Sequence, residues 1–191
     1  LFPYTTLFRS FTPVLIFAIF GFAYLMKINA ELGVITFSVS LLALLVYSLW
    51  GDPWGGWAFG SRYLIPAYAM LSIMLAAALD KYRNNLIIFF LFLSLGTYSI
   101  FANSTGALGT IATPPKVQVL SLEQITGRVE RYSWDRSWEY IKGGKSKSAV
   151  YEYYFAKKIS PLTYFYIIFG SLSTVYILLV CAHFFTNRRS K

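Results

Sequence analysis

Residues 162–185 read LTYFYIIFGSLSTVYILLVCAHFF, and residues 86–102 read LIIFFLFLSLGTYSIFA; neither stretch holds a Lys, Arg, Asp or Glu. A helix rising about 1.5 Å per residue needs about 20 apolar residues to cross about 30 Å of hydrocarbon. Working outward from these two stretches, residues 11–28, 33–50 and 63–79 are apolar over comparable lengths. All these runs are continuously apolar and lack the alternation of an outer-membrane barrel strand. In lipid each backbone N–H and C=O must find its partner inside the protein, which leaves helices as the expected element. The fold class expected is therefore all-α: a polytopic transmembrane helical bundle of about five spans, with a partly helical extramembrane loop.

Composition agrees. The chain is 57% hydrophobic and 13% charged, against about 25% charged for a soluble domain. Aromatic residues make up 19%, with fifteen tyrosines, and rings with one polar end favour lipid-water boundaries. The formal charge of +9 is scattered over short connections and one long loop, so anionic lipid headgroups rather than nucleic acid are the expected partner. The single cysteine, Cys181, sits in an apolar run, so neither an intrachain disulfide nor a thiolate metal site is available.

The expected organisation has four parts. Residues 1–10, LFPYTTLFRS, back-translate codon for codon into a common sequencing-library adapter and are read as an artefact, with the polypeptide proper continuing upstream of Phe11. Residues 11–102 form a four-helix transmembrane region, 103–160 an extracytoplasmic loop with short amphipathic helices, and 161–191 a final transmembrane helix with a basic tail. Orientation follows from the short connections. Lys27, Lys81, Arg83, Arg188, Arg189 and Lys191 fall on one side against Arg62 on the other, which places the first side and the C-terminus in the cytoplasm. The expected location is multi-pass in the bacterial inner membrane.

In the long loop, Ser121 with Gln124 matches a capping box, followed at helical spacing by Leu122, Ile125, Val129 and Tyr132. Trp134, Trp138 and Ile141 form a second apolar stripe that stops at Gly143 and Gly144, residue types suited to a helix C-terminus. A third stretch mixes Tyr151, Tyr153, Tyr154 and Phe155 with Lys157 and Lys158 and reads as interfacial, its rings at headgroup depth.

The segment with most chemical content is 50–63, WGDPWGGWAFGSRY, followed by Leu64, Ile65 and Pro66. Its four glycines allow close approach of the backbone to another group, and its tryptophans anchor it at a boundary. Asp52 and Arg62 are its only charges. A planar guanidinium at the start of a membrane helix suits bidentate contact with a phosphate. From these residues alone two readings stand side by side. Arg62 holds a specific phosphate, or it snorkels to ordinary lipid phosphate or pairs with Asp52.

The pattern W-G-G-x-x-x-G-x-R-Y before an apolar helix with an early proline, carried by Trp54, Gly55, Gly56, Gly60, Arg62, Tyr63 and Pro66, resembles the later membrane region of bacterial multi-pass glycosyltransferases of the C-type fold. That group includes protein mannosyltransferases and lipid A aminoarabinose transferases. The resemblance covers this loop and the general helix pattern. It implies a sugar moved from a polyprenyl-phosphate donor to an extracytoplasmic acceptor, with no further cofactor. It also implies that Arg62 holds the donor phosphate and stabilises the leaving group. Gly55, Gly56 and Gly60 would let the headgroup approach the backbone, and Trp54, Trp57 and Tyr63 would flank the polyprenyl chain or stack on sugar. The catalytic carboxylate of the group lies in a first external loop near the N-terminus, which this sequence does not contain. Asp52 is a secondary candidate for that base, its simpler role being charge partner of Arg62. The chain then reads as a C-terminal part of the enzyme, inactive alone.

Other residues carry less. His183 has no second ligand nearby in sequence and reads as a packing or boundary residue. Asn103, Ser104 and Thr105 match a glycosylation sequon, a pattern frequent by chance. Glu123, Glu130, Asp135, Glu139 and Glu152 are interleaved with cations, so solvated pairing is the default, with Glu130 or Asp135 the candidates to face an acceptor. Two functions compete with transfer. A transporter or flippase would place charged or broken-helix elements at the midplane, and these helix interiors hold no charge. A structural membrane subunit would use the long loop to dock a partner.

Overall fold

The structure is a computed structural model that describes residues 12–49, 64–109, 121, 124–125, 127, 134–146 and 148–186. Every element among them is helical. A 3-10 turn, Pro13–Ile16, feeds α1 (Phe17–Ile28). Then come α2 (Ala30–Leu49), α3 (Ile65–Tyr82), α4 (Leu86–Gly109), α5 (Trp134–Lys142), a π turn (Tyr151–Phe155) and α6 (Pro161–Thr186).

Three segments, Ala30–Tyr47, Leu86–Gly109 and Pro161–Phe185, are long and apolar enough to cross a membrane, yet only 17%, 28% and 17% of their residues are buried inside the chain. Uncovered apolar surface on that scale is what soluble monomers avoid, and hydrocarbon is the medium that suits it. These three helices thus mark a membrane protein. The apolar stretch Pro13–Ile28 is shorter, and α3 closes on Asp80, Lys81 and Tyr82.

Several boundaries differ from those read in the sequence. The expected turn at 27–32 shrinks to Asn29, because Lys27 completes α1 and Ala30 already opens α2. One asparagine serves both helices: its extended backbone (φ −153°, ψ 90°) ends α1, its N–H donates to Leu25 O, and its Oδ1 accepts from Leu32 N at 3.1 Å. Asp80, Lys81 and Tyr82 belong to α3 rather than to a turn. Asn85 then caps α4 by accepting from Ile87 N and Ile88 N at 3.0 and 3.2 Å. α4 itself runs to Gly109 rather than Ala102. Polar side chains extend it without breaking it, since Ser99, Asn103 and Thr105 each donate to the carbonyl one turn back. The sequon Asn103-Ser104-Thr105 is therefore helical, as are Gly106 and Gly109.

Helix contacts set the topology. Thr12 hydrogen-bonds Tyr68 near the start of the pair and Tyr24 Oη reaches Asp80 Oδ2 at 3.5 Å near its end, so α1 and α3 run parallel with α2 returning between their ends. Gly21 permits the close approach of α1 to α3, because a Cβ there would collide with the Met74 carbonyl. α4 and α6 are antiparallel. Phe89 packs on Phe184 at 4.3 Å near one end and Phe101 on Phe165 at 5.7 Å near the other. Between these pairs the Tyr176 hydroxyl donates to Phe92 O at 2.7 Å, in space that any side chain at Gly96 would occupy. A cluster of Val14, Phe17, Ala78, Phe89, Phe92, Val180 and Phe184 joins the two halves.

The connections Asn29 and Arg83–Asn85 and the C-terminal turn of α6 thus share one end of the bundle. Leu49, Leu64, Gly109, α5, the π turn and the start of α6 share the opposite end.

Candidate functional site

Asp52, Trp54, Gly55, Gly56, Trp57, Gly60, Arg62 and Tyr63 lie outside the described residues. The described chain leaves α2 at Leu49 and resumes at Leu64, so the residues bracketing that segment can be placed. Leu64 and Ala67 are fully buried, packed with Ala102 of α4 and with Ala43, Leu44 and Tyr47 of α2. Pro66, the early proline of the motif, stands in the first turn of α3, where its missing N–H costs no helical hydrogen bond. Both flanks of the glycine-tryptophan segment therefore belong to the end that carries α5.

That end is built up in layers. Trp138 of α5 is wedged between Phe101 of α4 and Phe165 of α6, with centroids at 5.4 and 5.0 Å. Ile141 beside it is fully buried against Leu108, Tyr151 and Tyr164. Ser137 sits on Gly109, where a Cβ would lie 2.7 Å from its own Cβ. α5 stops where the two glycines stand. Gly144 takes φ +77°, its N–H donates to Ile141 O, and Lys145 N donates to Tyr140 O at 3.2 Å, the paired bonds of a Schellman ending. Ser146 Oγ then donates to Leu108 O at 3.0 Å and supplies a partner for the end of α4.

The aromatic stretch after it divides in two. Tyr151 is buried rather than interfacial, because it stacks beside Tyr164 and its hydroxyl donates to Ile159 O at 2.8 Å. Tyr153 and Tyr154 are 85% and 70% exposed, with Lys157 and Lys158 exposed beyond them. Of the expected first loop helix, Ser121, Gln124 and Ile125 are helical and exposed, while Leu122, Glu123, Val129, Glu130 and Tyr132 lie outside the described residues. Asp135 is in the first turn of α5. Glu139 and Glu152 are exposed.

A second feature had no sequence signal. Between α1 and α2, over Leu71 of α3, runs an apolar crevice of about 410 Å³ walled by Pro13, Leu15, Ile16, Ile19 and Leu44. A smaller one of about 160 Å³ shares Ala18, Ile19, Leu44 and Leu71 and continues toward Met74. Thr12 at its mouth is hydrogen-bonded to Tyr68, one turn beyond Leu64. A leucine lining a crevice and one facing lipid read identically in sequence. Such walls can accept hydrocarbon and exclude a charged headgroup.

No cluster of metal-ligating side chains occurs among the described residues. His183 is half-buried with Nε2 unpaired, in a helix turn shared with Phe184 and Phe185, and has no second ligand there. Cys181 is a half-buried thiol packed against the cluster that joins the two halves. Comparison with protein-family models, curated proteins and solved structures gives no significant match.

Proposed function

We propose that this chain is the later membrane region of a polyprenyl-phosphate-dependent glycosyltransferase, crossing the bacterial inner membrane five times. Arg62 is its donor-phosphate ligand on the extracytoplasmic side. One observation carries the reading: Leu49 and Leu64, the described residues that flank the motif in the sequence, lie at the elaborated end of the bundle, where an apolar crevice sized for hydrocarbon opens between α1 and α2. The crevice would take isoprenoid units near the lipid chain's phosphate, while Arg62 meets the phosphate and offsets charge as the glycosyl bond breaks. Asp52 stays the charge partner of Arg62.

The opposite end carries Lys27 and Lys81 in the last turns of α1 and α3 and Arg83 in the connection that follows, which favours the cytoplasm for that side and for the C-terminus. For all five helices to span, α1 needs the 3-10 turn to complete its length, and the charged last turn of α3 would reach the headgroups.

The test is Arg62→Ala in the full-length enzyme. Removing a preorganised charge of this kind is expected to lower transfer by about 100- to 1,000-fold with membrane insertion intact; unchanged transfer would refute the role. Labelling of a cysteine at Trp57 from the periplasmic side is the companion expectation, and exclusive labelling from the cytosol would remove the chemistry.

A further inference from the structure

We infer that the corner between α3 and α4 is a binding site for one anionic phospholipid, its headgroup on Lys81, Asn84 and Asn85 and an acyl chain along Leu86 and Ile87. A shallow recess is lined by these residues and Tyr82. Its polar rim and its apolar wall adjoin in the order a lipid presents them. Lys81, Asn84 and Asn85 are exposed, and directly after them Leu86 and Ile87 are 51% and 72% exposed.

Charge supplies the choice of partner. Asp80, the carboxylate nearest in sequence, is engaged by Arg83 at 3.6 Å and by the Tyr24 hydroxyl at 3.5 Å. Lys81 has no ion-pair partner among the described residues. Its ammonium instead lies 4.8 Å from the centroid of the Tyr82 ring, and that ring is held by the edge of Phe20. A cation steadied by an aromatic face and unmatched by a carboxylate suits a phosphate group. Asn84 and Asn85 side-chain amides add donors without adding negative charge. Lys27 shares this end but lies outside the recess, which makes it the internal reference.

The inference rests on the membrane reading and is independent of the transferase reading. The chain is reconstituted in phosphatidylcholine vesicles with a minor fraction of phosphatidylglycerol, extracted gently and weighed by native mass spectrometry. One retained phosphatidylglycerol, in preference to phosphatidylcholine, is expected. Lys81→Gln should lower that retention about fivefold and Lys27→Gln should leave it unchanged. Equal retention in Lys81→Gln, or an equal fall in Lys27→Gln, overturns the site. Should Lys81→Gln not insert, wild-type retention is followed against rising KCl: a steep fall supports the site and salt-independence overturns it. Resistance of the wild-type chain to carbonate extraction is scored separately, so release from the membrane exposes failure of the underlying reading rather than of this one.

Discussion

The two ends of the bundle solve the same problem, reversing a hydrophobic chain, in different ways. At one end the reversals are minimal: Asn29 alone joins α1 to α2, and Asn85 caps α4 almost as soon as α3 has ended. At the other, α4 extends under α5, and Ser137, Trp138 and Ile141 fill the space between α4 and α6. The π turn and Ser160, whose hydroxyl accepts from Thr163 N at 3.1 Å, then lead into α6. A chain that needed only to turn would turn everywhere as it does at Asn29. The difference teaches that the second end is held by packing of inserted helices rather than by short caps, and Leu49 and Leu64, the described neighbours of the glycine-tryptophan segment, lie there.

Substitutions can break or sharpen that contrast. The largest expected effect on folding is at Trp138, where alanine should cost about 3 kcal/mol. It should free α5 from α4 and α6 while α1 to α3 keep their packing. Proteolysis within residues 134–146 should then rise sharply, and an unchanged digestion pattern would show that α5 is not held by this ring. Next comes Gly21→Val, which forces a side chain onto the Met74 carbonyl. A loss of about 1–3 kcal/mol in an unfolding titration is expected, and a neutral result would mean α1 and α3 do not touch there.

Tyr176→Phe removes the hydroxyl that bonds Phe92 O but keeps the ring, so a loss of about 1 kcal/mol is expected. Gly96→Ala should exceed it by displacing the ring itself, and reversal of that order would contradict the α4–α6 contact. The smallest effect is at the plain end. Asn85→Ala should lower stability by about 1 kcal/mol through the lost cap, with no change in the protection of α5. A coupled loss at both ends would blur the distinction between them.

Legibility in the sequence followed the range of the interactions involved. The apolar runs around residues 86–102 and 162–185 announce helices because hydrophobicity over about 20 residues is a local sum. The end of α5 was readable from Gly143 and Gly144, since the left-handed φ of Gly144 is a local demand. The end of α4 was misread at Ala102, because Asn103, Ser104 and Thr105 resemble a loop by composition. Ser104 and Thr105 are instead buried, and the side chains of Asn103 and Thr105 turn back to helix carbonyls. Tyr151 was misread as interfacial for a like reason, its hydroxyl finding Ile159 O only once the turn folds. Of the candidate site, the residue types of 50–63 were legible and their flanks are placed by Leu64 and Ala67, whereas the crevice was not foreseeable at all.

The sequence by itself determined that lipid is the solvent, that helices are the element, and that Arg62 stands in a glycine-rich, aromatic segment, since each is a property of neighbouring residues along the chain. Tertiary structure alone decided which helices are parallel, where each one stops, and that an apolar crevice lies between α1 and α2. Those outcomes depend on which faces meet at close-packed distance, as Gly21 meets Met74 and Gly96 makes room for Tyr176, and residues so far apart in the chain carry no joint signature until they touch.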